Sequence, residues 1–235
     1  MSMSTAAPAL PDTQLKQQNG YRLVNSKYPP IAVFDDVADA ADFDDLFALQ
    51  AMTNPRLLTE LGQLQLLRAS EIPYGITGLS YALAPFTHIN PMGSRFSDGQ
   101  YGVLYLADSM ATALKEVAYH QQCYWSGVAG LTFERFVFRG LNCQFGPTSL
   151  HDACSLPDDH LIYHPNDYSA SRALGKTLRK ANAIGLQYHS VRQKGAICWA
   201  LFTPAPVTKI VQSAHFEMLW DGEKITATHK LIRQG

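Results

Sequence analysis

Apolar and polar positions along the chain fall into two rhythms, and each predicts a set of elements. From Ser169 to Asn182, the residues Ala170, Ala173, Leu174, Thr177, Leu178 and Ala181 recur at helical spacing. Arg172, Lys176, Arg179 and Lys180 occupy the other face, which reads as solvated or, alternatively, as a docking surface for an acidic segment. Asn182 and Gly185 supply a C-terminal stop. A second helix starts at the N-cap signal Asp108-Ser109 and runs to about His120, burying Met110, Ala113, Leu114 and Val117. Glu116 lies beside that stripe, at the margin of the buried face. Short apolar or alternating runs predict strands at Tyr21–Val24, Gly102–Ala107, Phe133–Arg139, Leu186–Val191, Ala196–Phe202 and His215–Trp220. Asp221-Gly222 is a hairpin signal into Lys224–Ala227.

The N-terminal third reads differently. Residues 1–20 are small, polar and proline-containing, and suggest a flexible tail. Asp35, Asp36, Asp39, Asp42, Asp44 and Asp45 suit the first turn of a helix over Leu46–Met52, which should stop before Pro55. Leu57, Leu58, Leu61 and Leu64 predict another helix. The expectation is a single α+β domain over residues 21–235, with much of its sheet built late in the chain.

Composition narrows the function classes. Hydrophobic residues make up 46% of the 235, enough for a sizeable core. Nineteen basic against 20 acidic side chains leave a net charge of −1, which argues against direct nucleic-acid binding. No apolar stretch approaches the ~20 residues of a membrane helix. The N-terminus lacks the basic region and apolar core of a secretory signal. Cys123, Cys143, Cys154 and Cys198 are scattered and read as reduced thiols of a cytoplasmic protein.

Generic catalytic motifs are missing. The sequence has no GxxxxGK[ST] loop, no GxGxxG after a strand, and no GxSxG, HExxH or SxxK. His160 and His164 stand four apart, but Pro157, Asp158, Asp159 and Pro165 make that stretch a loop, and no metal site is expected.

A set of ordered blocks is more specific. They are Tyr21-Arg22-Leu23; Thr53-Asn54-Pro55-Arg56-Leu57; Ser94-Arg95-Phe96-Ser97-Asp98-Gly99 through Gly102–Ala107; and Ala113-Leu114-Lys115-Glu116 with Tyr119-His120. Asp167-Tyr168, Gly185–Arg192, Cys198–Pro204 and Trp220-Asp221-Gly222 complete the series. Together they resemble the RES domain family, named for a recurring Arg, Glu and Ser. Many members have Gly-Gly-Arg-Trp where this chain has Gly93-Ser94-Arg95-Phe96, and the interval from Arg22 to Arg95 is longer than in compact members.

The resemblance implies an ADP-ribosyltransferase-like mixed sheet with surrounding helices. It also implies a toxin of a toxin–antitoxin pair that cleaves the nicotinamide–ribose bond of NAD. Phosphorolysis is the expected route, with inorganic phosphate as co-substrate and no prosthetic group. The implied partner is an Xre-type helix-turn-helix antitoxin, and homodimerisation is a family-level expectation.

Cleavage at the anomeric carbon passes through an oxocarbenium-like state, which needs a fixed negative charge beside it and clamps for the pyrophosphate. Glu116 suits the first task, although a helix carboxylate is more often simply solvated. Arg95, on a glycine-bounded loop, suits the pyrophosphate; its plainer reading is an ion pair with Asp98 or Asp108. Arg22 would hold a second phosphate or orient a ribose. Tyr105 would stack on nicotinamide or bond a ribose oxygen, unless it is only a core aromatic. Ser190, at a strand end, would position substrate and not act as a nucleophile. Arg192 and His120 are second-rank candidates. Two alternatives stay open at this point: a mono-ADP-ribosyltransferase acting on a protein through the same site, and a catalytically inert binding module.

Overall fold

The computed structural model describes residues 8–27 and 64–232. The acidic patch and the helix predicted over Leu46–Met52 lie outside the described residues. So does the Leu57 helix, except for Leu64, which opens a single 3-10 turn over Leu64–Leu66.

The chain runs through β1 (Asp12–Leu15), β2 (Gln18–Asn25), α1 (Leu79–Thr87), β3 (Leu104–Ala107) and α2 (Met110–Trp125). It continues as β4 (Glu134–Phe145), β5 (Thr148–Asp152), α3 (Ser169–Lys180), β6 (Gly185–His189), β7 (Ile197–Leu201), β8 (Val207–Trp220) and β9 (Ile225–Leu231). The nine strands form one mixed sheet in the order β1-β5-β6-β7-β3-β2-β4-β8-β9, so the fold class is α+β. Among the described residues only β5 and β6 run parallel.

The sheet is covered on both faces, and strand alternation sorts the side chains between them. Along β3, Leu104 and Leu106 enter a core with Ala82 and Phe86 of α1, Leu141, Phe145, Trp199 and Leu201. Tyr105 and Ala107 point the other way, into the larger core that includes Ala113 of α2, Leu174 and Leu178 of α3, Phe136 and Trp220. Leu104 and Leu106 are 0% and 2% exposed. Burying each contributes about 1.5–3 kcal/mol.

The local start signal of α2 holds. Ser109 Oγ accepts the Thr112 N–H at 3.1 Å, and Asp108 fixes the cap to β7 by accepting the Ile197 N–H at 2.8 Å. The helix continues past His120 to Trp125, whose ring stacks on Phe136 at 4.8 Å.

Two expectations are corrected. Residues 12–20 are not a loose tail: β1 pairs with β5, and β2 begins at Gln18. The polar sequence hides an edge strand whose hold is mostly main-chain pairing, with Gln14 Nε2 donating to Ser149 Oγ at 2.9 Å. The basic side of α3 is not a free solvated face either. Lys176 pairs with Asp98, Arg179 pairs with buried Glu71, and Arg172 donates to main-chain carbonyls. Lys180 is exposed and, alone of the four, makes no such bond among the described residues.

Candidate active site

Neighbouring strands β2 and β3 share a single pair, Tyr21 opposite Ala107, and part beyond it. A cavity of about 490 Å³ opens there. Its walls are Tyr21 to Leu23 of β2, Tyr105 to Ala107 of β3, Glu116, Val117 and His120 of α2, and the loop residues Gly93 to Arg95. Tyr168, just before α3, and Tyr188 of β6 close it. Four of the five residues singled out from the sequence, Arg22, Arg95, Tyr105 and Glu116, therefore share one cavity. The fifth, Ser190, joins them by donating its hydroxyl to Glu116 Oε1 at 2.5 Å.

That last contact has a built-in direction. Ser190 Oγ accepts the N–H groups of Arg192 at 3.2 Å and Gln193 at 3.0 Å. With both lone-pair directions occupied, its one proton is committed to Glu116. The turn after β6 thus orients the carboxylate on α2, and leaves Oε2 without a hydrogen bond among the described residues. The same turn is tied back to α2 by Lys115, which donates to Gln193 Oε1, and by Arg192, stacked on the Tyr119 ring.

Arg95 is 8% exposed and forms neither of the ion pairs its loop position suggested. Nη1 donates to the carbonyls of Ile162 and His164 at 3.0 and 3.1 Å, and the guanidinium lies 4.4 Å from the Tyr168 ring centroid. Nε and Nη2 make no hydrogen bond among the described residues, which leaves donors for an anion.

Arg22 meets no carboxylate among the described residues. Burial pushes its pKa below the usual arginine value, against the opposing pull of the Cys143 thiol and Tyr105 hydroxyl. An uncompensated cation facing a cavity is poised for an anionic ligand.

Tyr105 plays a different part from the one expected of its hydroxyl. The oxygen accepts the Phe96 N–H at 2.9 Å and shares a hydrogen bond with Ser94 Oγ at 2.7 Å, so it anchors the loop. Burial raises its pKa to about 12. The phenol is a neutral anchor, not a base.

His120 stands at the cavity mouth, where desolvation lowers its pKa, with Glu116 opposing the shift. His160 and His164 use Nδ1 to accept loop N–H groups, from Ile162 and from Asn166 and Asp167. Among the described residues no group of three His, Cys, Asp or Glu is placed to hold a metal ion.

The sequence reading did not find Asn90, Gln121 or Tyr124, and it named Tyr21, Tyr168 and Tyr188 without a role. Tyr168 carried the one usable signal, its place directly before the basic helix. The rest become neighbours only when four separate segments converge.

The fold and cavity define an α+β protein with two cavity-facing arginines and one oriented carboxylate. A family model described as RES domain matches residues 72–221, and the chain belongs to that family. Arg95, Tyr105, Glu116 and Ser190 fall within the match, and Arg22 lies before it. An uncharacterised protein of Sinorhizobium fredii, y4oC, is 30% identical over 208 residues, covering 88% of this chain and 84% of that protein. Among solved structures, the M. tuberculosis MbcT–MbcA toxin–antitoxin complex includes a chain 13% identical to this one. The match has a TM-score of 0.36 and covers 52% of this chain and 73% of that one. No helix among the described residues is long and apolar enough to cross a membrane.

Proposed function

We propose that this chain is the toxin of a toxin–antitoxin pair and depletes NAD by cleaving its nicotinamide–ribose bond. The observation that carries the reading is the shared cavity, in which two arginines face a single carboxylate whose orientation is fixed by Ser190. Membership of the RES family supports the same substrate.

The pyrophosphate is a dianion, and Arg22 and the unused donors of Arg95 suit it. Glu116 then faces the nicotinamide-bearing ribose. As the bond between C1′ and the ring nitrogen breaks, its electron pair neutralises the pyridinium, so nicotinamide leaves without a general acid. Positive charge develops on C1′ and the ring oxygen, where the fixed Glu116 carboxylate opposes it. An oxygen of inorganic phosphate attacks C1′ and gives ADP-ribose 1″-phosphate. If water were the acceptor, its proton would pass to solvent. Ser190 holds Glu116 in place, and Tyr105 holds the loop. Four unpaired cysteines fit a reducing, cytoplasmic setting, and an Xre-type antitoxin is the expected regulator.

The test is NAD loss by the purified protein with and without inorganic phosphate, beside Glu116→Gln. Phosphate-dependent loss is expected, with the variant slower by about 10²–10³-fold. Loss without phosphate, accompanied by labelling of a protein, would move the assignment to ADP-ribosyl transfer. Equal inertness of both proteins, freed of any bound partner, would overturn the enzyme reading in favour of a binding module.

A further inference from the structure

Residues 172, 175, 176 and 179 form one stripe on α3, at intervals of three and four, and the stripe faces the Met92–Asp98 loop and Glu71. We infer that Arg172, which does not line the cavity, is the positioning residue for its anion-binding wall. The inference rests on the proposed NAD reading for the ligand, but the geometry it uses is independent of chemistry.

Arg172 Nε donates to the Ser94 carbonyl at 3.0 Å, and Nη2 donates to the Met92 carbonyl at 2.9 Å. These carbonyls flank Gly93, whose φ of +75° turns the chain toward the cavity. The fork of one guanidinium therefore spans the bend that delivers Ser94 and Arg95 to the wall. One turn along the helix, Gly175 lets the loop lie directly on the helix backbone. A Cβ there would sit 2.1 Å from the Phe96 carbonyl oxygen. Lys176 adds an exposed ion pair to Asp98 at 3.1 Å. From the opposite side Tyr101 donates to the Phe96 carbonyl at 2.6 Å, and Tyr105 holds Phe96 N–H and Ser94.

The loop is thus gripped between α3 and β3, and Arg172 makes the two-pronged main-chain contact from the helix side. Tyr168 links the grip to the ligand: its ring centroid lies 4.4 Å from the Arg95 guanidinium and 5.9 Å from that of Arg172. Losing the fork frees Gly93–Arg95 to rotate, which moves an anion donor without touching Glu116. The signature of that role is a loss of ligand affinity with turnover preserved.

The experiment compares Arg172→Ala, Arg172→Lys and the exposed control Lys180→Ala in three readouts. These are titration with ADP-ribose, NAD KM and kcat, and amide hydrogen exchange over residues 93–99. Arg172→Ala should weaken ADP-ribose and raise KM about tenfold while kcat stays within about twofold, and the loop amides should exchange faster. Arg172→Lys should regain part of both losses, because one ammonium replaces the fork. Lys180→Ala should match the wild type. Wild-type loop exchange in Arg172→Ala overturns the inference, and so does a kcat loss as large as the KM change. Failure of the wild type to bind ADP-ribose or cleave NAD defeats the NAD reading instead, and loop exchange still reports on the clamp.

Discussion

At the scale of single residues, the site is a matter of which donors are already spent. Tyr105 directs its hydroxyl to Phe96 and Ser94 and Arg95 has used Nη1, whereas Glu116 Oε2 and the rest of Arg95 have no partner among the described residues. Ser190 shows the consequence most directly. Its proton is forced onto Glu116 because two main-chain N–H groups occupy its oxygen. Ser190→Ala removes a hydrogen bond to a charged group, an interaction of about 1.5–3 kcal/mol, and leaves both N–H groups without their acceptor. NAD turnover should fall about 10–100-fold, with ADP-ribose affinity little changed because both arginines remain. A variant with wild-type kcat would show that the backbone alone fixes Glu116. The sequence marked Ser190 and Glu116 by residue type and by family resemblance. It could not show that they touch, because that depends on how the turn after β6 is folded.

Among the elements, legibility follows how local the determinants are. The start of α2 was readable because its cap is three residues of chemistry, Asp108, Ser109 and Thr112. The alternation predicted a strand ending at Arg139, yet β4 runs through Gly140 to Phe145 across two register shifts. A Cβ at residue 140 would meet Met110 Cε at 2.8 Å and Phe216 Cε2 at 2.9 Å, so glycine is a packing requirement from distant elements. Helix α1 is masked by Pro85 near its end. The polar side of α3 looked solvated for the same reason: its partners lie about seventy to a hundred residues away. One of those contacts gives a pH signature. Burial pushes the Glu71 pKa up, but hydrogen bonds from Arg68 and the charge of Arg179 outweigh it, and the net shift is downward from 4.5. The folded state therefore favours ionised Glu71. Its contribution is fully present above 4.5 and is lost as pH falls through the lower, folded value. Glu71→Gln should cost about 1 kcal/mol at neutral pH, since Arg68 is largely exposed. Urea melts at neutral pH and well below the carboxylate range should show the gap closing. A pH-independent gap would make Glu71 a packing residue and not an ionic anchor.

Over the whole molecule, a nine-stranded sheet with a core on each face leaves its centre as the place where one ladder can open. The β2–β3 junction is reduced to one pair, and the cavity takes the space. The cost of that opening is concentrated in Arg22, a half-buried cation with no carboxylate among the described residues to offset it. Sequence reading placed Arg22 in a first strand but had no means of seeing that it would meet no carboxylate among the described residues. Replacing it with an apolar chain of similar length should make the free protein more stable while removing an anion contact. Arg22→Met is expected to raise stability by about 1–2 kcal/mol, which for a chain of this size corresponds to roughly 2–8 °C in Tm. The two proteins should then exchange rank when ligand is added. At a concentration one hundred times its Kd, ADP-ribose stabilises whichever protein binds it by about 2.7 kcal/mol, enough to lift the wild type past a variant that no longer binds. Calorimetry with and without ADP-ribose would show that crossing. A variant less stable than wild type in both conditions would mean that Arg22 is a structural cation whose compensation comes from the protein itself, and the anion site would then rest on Arg95 alone.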